Sequence, residues 1–262
     1  MPAHRWPRDS GSTLTSFRDE LRRTLVPGGD PAEGPLPPLP PLPPLLIAMT
    51  LVTGLVDAFS FLELGHVFVA NMTGNVVFLA FALAGARGFS IGASATALAA
   101  FWIGTYVGGR LARHFGSHRG IMLSVATRVQ SVFLLVAVII SLVSQRPLAA
   151  GSRYPLVVVL AVAMGMQNAM ANRMGVTGLT TTVLTSAITG AAADAGFLLK
   201  NWPSSVRRYL SVVALFLGAV VGAVLVLPVN ASISLIVALC LLIGVALVAR
   251  RASQPDSPWK AA

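Results

Sequence analysis

The chain has 262 residues, is 55% hydrophobic and only 11% charged, where a soluble domain carries about 25% charged residues; an ordinary soluble domain is excluded. The net charge of +10 does not signal a nucleic-acid partner, because the basic residues fall in short loops between apolar runs. The single cysteine, Cys240, excludes an intramolecular disulfide and a cysteine-cluster metal site.

Residues 1–44 form a polar N-terminal arm with five Arg and five Asp/Glu. Within it, Leu14, Phe17, Leu21 and Leu25 share one helical face, with Ser16 and Asp19 in capping positions. This is either a short amphipathic helix on the membrane surface or a transient one. The stretch PLPPLPPLPPL, residues 35–45, reads as polyproline II, a stiff spacer more than a docking site. No cleavable signal peptide is expected ahead of the first apolar run.

Eight apolar segments follow, at 45–64, 66–85, 90–111, 120–143, 155–172, 176–199, 207–227 and 230–249. Runs of about 20 apolar residues are the signature of transmembrane helices. The fold class is therefore all-α, a polytopic helical membrane protein with six to eight spans in residues 45–250 and a short tail at 251–262. Gly104-xxx-Gly108 and Gly218-xxx-Gly222 are small-residue stripes that let helices approach closely in lipid. They also leave a homo-oligomer open.

The stripes expose an internal repeat. GTYVGG at 104–109 matches GAVVGA at 218–223, and GLVDAF at 54–59 matches GMQNAM at 165–170, with offsets of 114 and 111. NMTGNVV at 71–77 then falls opposite VLTSAIT at 183–189. We read two halves of about 110 residues, at about 45–143 and 155–250. Such repeats are common in secondary transporters, with the site at the repeat interface. The Lys/Arg distribution puts the N-terminus in the cytoplasm whether segments 2 and 6 cross or dip in and return. Crossing gives parallel repeats and dipping gives inverted ones. Segment 2 is long enough to span, which favours eight crossings.

Asp57 and Asp194 lie deep in segments 1 and 6, and Arg128 lies inside segment 4. A carboxylate at mid-membrane costs roughly 2.5–3.5 kcal/mol on insertion scales, so it must face the bundle interior, pair or be protonated. An Asp–Arg pair is the simplest way to hold these charges; a site for a cation or proton is the functional alternative. Glu63 and His66 flank the first turn and suit a solvated interface.

Asn71 and Asn75 are four apart and share a face on a helix, with Thr73 and Gly74 between them. Glycine thins or breaks a helix there, and the Asn amides can satisfy freed backbone groups. A broken helix is tolerated at membrane depth only where protein or a cavity covers it. The matching stretch of the second half carries Thr180, Thr181, Thr182, Thr185, Ser186 and Thr189, although hydroxyls in membrane helices often bond only to their own backbone. Gln167 and Asn168 fall where the repeat places Val56 and Asp57. The Asn-Met-Thr sequon sits inside an apolar run, and Gly88-Phe-Ser-Ile-Gly92 opens a membrane helix, so neither carries its usual chemistry. There is no phosphate-binding Gly-rich loop, no metalloprotease motif and no nucleophile–base pair, so neither an enzyme nor a bound cofactor or metal is expected.

The run GLVDAFSFLELGHVFVANMTGNVVFLA, residues 54–80, closely resembles the YoaK family of bacterial membrane proteins, named after a domain of unknown function. Asp57-Ala58, Gly65, Phe68 and the run Asn71–Asn75 look like its hallmark, and GMQNAM with the Thr-rich stretch looks like its second signature. The likeness covers about residues 45–250. The 44-residue arm departs from the shorter members, and Thr185-Ser186 stands where the family has Thr-Gly. Membership implies a multi-pass inner-membrane protein and no established substrate.

Two functions are expected from the residues. One is a small secondary transporter, with a polar centre of Asp57, Asn71, Thr73, Gly74, Asn75, Asn168 and Thr185, joined by Asp194 and Arg128, that links a proton or cation to a small solute. The other is a non-transporting membrane scaffold, packed through Gly104, Gly108, Gly218 and Gly222 and docked through the Pro-rich arm.

Overall fold

The computed structural model describes residues 42–114, 119–145, 148–174, 202–227 and 231–252, with position 189. The described residues form seven helices, in chain order α1 (Leu42–Glu63), α2 (Met72–Leu83), α3 (Ile91–His114), α4 (Arg119–Val143), α5 (Ala150–Met174), α6 (Trp202–Val226) and α7 (Ala231–Ala252). All but α2 are long and apolar enough to cross a membrane, and no strand occurs among the described residues. The chain is a polytopic helical membrane protein.

Helix α1 starts earlier than the polyproline reading allows. It begins at Leu42, so Pro43 and Pro44 occupy its first turn. First-turn N–H groups have no intrahelical acceptor, so proline forfeits no bond there. Helix α5 likewise begins at Ala150 and carries Pro155 inside it.

Segment 2 does not cross. Residues 64–71 are non-helical, and α2 has only 12 residues. That is about 18 Å of helix against a hydrocarbon core about 30 Å thick. The two ends of the excursion also meet. His66 Nδ1 lies 3.1 Å from the carbonyl oxygen of Gly88, and its ring is 6.2 Å from that of Phe89. The segment therefore dips in and returns, which corrects the expected eight crossings at this position.

Two glycine caps make the return possible. Gly65, at φ +87°, ends α1 while the His66 N–H donates to Phe61 O at 3.1 Å. Gly85, at φ +83°, ends α2 with N–H bonds from Gly85 to Ala82 O (3.1 Å) and from Ala86 to Phe81 O (3.0 Å). These are the bonds of the Schellman cap, whose left-handed residue favours glycine. Segment 6 lies outside the described residues apart from position 189.

The long helices pack in two close parallel crossings. Gly104 and Gly108 of α3 lie on the backbone of Val162 and Met166 of α5; a Cβ on Gly108 would sit 2.7 Å from Met166 Cα. Gly218 and Gly222 of α6 lie on Leu51 and Leu55 of α1 in the same way. From one crossing to the other, Gly104 is displaced 114 residues to Gly218 and Leu51 is displaced 111 residues to Val162. Dispersion between apposed backbones replaces the missing hydrophobic drive in lipid. Helix α7 closes the bundle: Ser232 Oγ lies 2.8 Å from Ser141 Oγ of α4, and Ser234 Oγ donates to Leu55 O at 3.2 Å. Leu55, Phe59, Leu134, Leu160, Met164 and Leu235 form the buried centre.

Candidate functional site

The site begins with the non-helical stretch 64–71. Leu64 and His66 still donate back to α1, but the amides of Phe68, Val69 and Ala70 lie beyond that helix, and unpaired amides at membrane depth are costly. Asp57 of α1 meets this need. Its Oδ1 accepts the N–H of Ala70 at 2.9 Å and of Val69 at 3.2 Å. Both bonds fall on one oxygen, which leaves Oδ2 outside the pair. Asn75, fully buried in α2, holds the neighbouring turn: its Oδ1 accepts the Phe68 N–H at 2.9 Å and its Nδ2 donates to Phe68 O at 2.6 Å.

Asn71 is not on the helix with Asn75. It is the N-cap of α2, and its Oδ1 accepts the Gly74 N–H at 3.4 Å. Gly74 does not break the helix. It sits in the first turn, where an added Cβ would lie 2.9 Å from Cδ2 of Phe68, so its bareness seats the Phe68 ring.

These elements border a partly open cavity of about 820 Å³ between α1, α2, α3, α5 and α6. Asp57, Asn71, Thr73, Gly74 and Asn168 line it, together with Thr53. Asn75 does not; its amide is engaged with the backbone of Phe68.

Arg128 stands apart. It is exposed on α4, where Nε donates to Ser124 O at 3.0 Å and Nη2 to Ser124 Oγ at 2.7 Å. The guanidinium folds along its own helix and is not the partner of Asp57, whose charge is met by backbone N–H groups instead. Thr185 and Asp194 lie outside the described residues. His66 is exposed at the mouth of the turn.

Two features had no sequence signal of their own. The first is an aromatic wall. Phe61 stacks on Phe68 at 5.0 Å and Phe68 on Phe78 at 5.7 Å, and all three line the cavity with Phe101. In an apolar run such phenylalanines look the same as lipid-facing ones. The second is a buried amide chain: Gln130 Nε2 of α4 donates to Gln167 Oε1 of α5, and Gln167 Nε2 donates to Thr53 Oγ1 of α1 at 3.1 Å. The sequence places Gln167 beside Asn168 but does not show that one amide ties helices together while the other lines the cavity. Among the described residues, no group of three or more His, Cys, Asp or Glu is placed to hold a metal.

The fold and site define a multi-pass helical membrane protein with a half-crossing hairpin and an acidic, aromatic-walled cavity beneath it. Residues 45–248 match the family described as "Protein of unknown function (DUF1275)", and the chain belongs to that family. It is 27% identical over 185 residues to the UPF0700 transmembrane protein YoaK of Bacillus subtilis (strain 168), covering 68% of this chain and 81% of the relative. No solved structure matches.

Proposed function

We propose that this protein is a small secondary carrier of the bacterial inner membrane rather than an enzyme, binding a solute at Asp57 and linking its movement to a proton or cation. One observation carries the reading. Asp57, Asn71, Thr73 and Asn168 converge on a single cavity of about 820 Å³, within the usual range of small-molecule sites. An acidic group inside a membrane span marks a solute or ion pathway by default.

The helix pairing supports the same reading. The α3–α5 and α1–α6 crossings exchange first-half and second-half helices with the offsets of the sequence matches. Among the described residues each half has three long helices, and the first has a half-crossing element as well, an arrangement that suits an inverted repeat. Secondary carriers place their sites at such interfaces, beside discontinuous helices. Helix α2 suits a gate: it is short and ends at the glycine cap of Gly85, and the turn leading into it is pinned by Asp57 and Asn75. With the N-terminus in the cytoplasm, this hairpin faces the outside.

The test is flux in proteoliposomes. Wild-type protein should pass protons or a coupling cation when solute is supplied, and Asp57→Asn should abolish that flux while keeping an oxygen for the Val69 and Ala70 amides. Flux left unchanged by Asp57→Asn would remove the coupling role.

A further inference from the structure

We infer that the solute held at Asp57 is a monovalent organic cation, an ammonium-type group carried on an apolar or aromatic body. This deepens the carrier reading and rests on it. Among the described residues lining the cavity, Asp57 is acidic and none is basic. An anion would face a carboxylate with no compensating cation, and like-charge placement is how sites reject wrong partners.

The oxygen count separates an organic cation from a bare metal ion. Hard cations take about six or more oxygen ligands. Three of the lining side-chain oxygens are already engaged. Asp57 Oδ1 accepts two backbone N–H groups, and Asn71 Oδ1 caps Gly74. Thr53 Oγ1 donates to Met49 O and accepts from Gln167 Nε2. Asp57 Oδ2 takes neither of these amides and can face an ammonium group, protonated or quaternary, as its counter-charge.

The walls supply the rest of the recognition. Phe61, Phe68, Phe78 and Phe101 border the cavity on which Asp57 opens. Aromatic rings attract organic cations through their quadrupole and bury the apolar substituents that a hydrated metal ion lacks. A cavity of about 820 Å³ holds such a body with room to spare.

The probe is radiolabelled benzyltrimethylammonium, bound at equilibrium to purified full-length protein in detergent. We expect saturable binding that excess sodium and excess benzenesulfonate fail to displace. Asp57→Asn should weaken it by about tenfold or more, since the ligand loses the counter-charge of Asp57. Ala223→Phe, which fills the cavity without touching the carboxylate, should weaken it as well. Should both variants misfold, the wild-type comparison of the cation with benzenesulfonate decides alone. Absence of saturable binding, displacement by sodium, or equal binding of the anion overturns the proposal. Uptake of the same probe into proteoliposomes separates the two readings. Binding without uptake removes the carrier and keeps the ligand class. Asp57-dependent proton or sodium flux without probe binding does the reverse.

Discussion

His66 and Gly88 are 22 residues apart in sequence, and His66 Nδ1 lies 3.1 Å from the Gly88 carbonyl oxygen. The first residues after α1 and the last before α3 therefore sit at one level, and α2 makes an excursion between them. In a Cys240→Ser background, Glu63→Cys and Arg87→Cys should both react with a membrane-impermeant maleimide added from the same side. Labelling from opposite sides would mean that α2 crosses.

Asn75 is the more demanding side chain of the hairpin. It satisfies both backbone groups of Phe68 at a fully buried position. Leaving a buried polar group unpaired costs about 1–3 kcal/mol, so Asn75→Ala, which orphans two, should cost about 2–6 kcal/mol. Asn75→Asp keeps the acceptor but cannot donate to Phe68 O when ionised, and should be no milder. Thermal unfolding in detergent, followed by far-UV dichroism, checks both. A melting temperature equal to wild type in Asn75→Ala would show that the turn does not depend on this amide.

The buried amide chain predicts an asymmetry. Gln167 is bonded on both sides, to Gln130 and to Thr53, whereas Oε1 of Gln130 has no partner. Gln167→Met breaks two bonds and leaves Gln130 Nε2 with only the Met164 sulfur at 3.5 Å. Gln130→Met breaks one of them and removes the orphan oxygen as well. The first should cost about 1–3 kcal/mol and the second clearly less, because deleting an unsatisfied atom offsets part of the loss. Comparable melting temperatures for the two variants would contradict this.

The membrane class and most helix bounds are legible because long apolar runs have one stable answer in lipid. α3 was expected at 90–111 and spans Ile91–His114; α4 was expected at 120–143 and spans Arg119–Val143. Segment 2 reads as a span because its length and mostly apolar composition outweigh Asn71, Thr73 and Asn75, while its path is set by φ at Gly65 and Gly85, which no hydropathy pattern reports. The grouping of Asp57 with Asn71 and Thr73 was readable from polar residues too costly to leave in lipid. The partner of Asp57 was not. A charged side chain such as Arg128 is the partner a sequence can show, whereas the carboxylate is met by two main-chain amides that the non-helical turn sets free. Asn75 could be ranked as a site residue but not as a clamp, since that role exists only once Phe68 folds back over Gly74.

The same substitution should have opposite effects at the glycines of the two parallel crossings and at an exposed glycine of α7. At Gly104 an added Cβ would lie 2.8 Å from Val162 Cα, and at Gly218 it would lie 3.0 Å from the Leu51 carbonyl carbon. These neighbours are backbone and cannot rotate away, so the helices must separate. Gly104→Ala and Gly218→Ala should each cost about 1–3 kcal/mol, the range for overpacking a tight contact. At Gly244, exposed on α7, nothing lies within 4 Å of the added carbon. There alanine removes backbone freedom from the unfolded chain, and Gly244→Ala should be neutral or stabilise by up to about 1 kcal/mol. Melting temperatures of the three variants, measured in one detergent, decide the matter. If Gly104→Ala and Gly218→Ala melt like Gly244→Ala, the glycine stripes are not where α3 meets α5 and α6 meets α1.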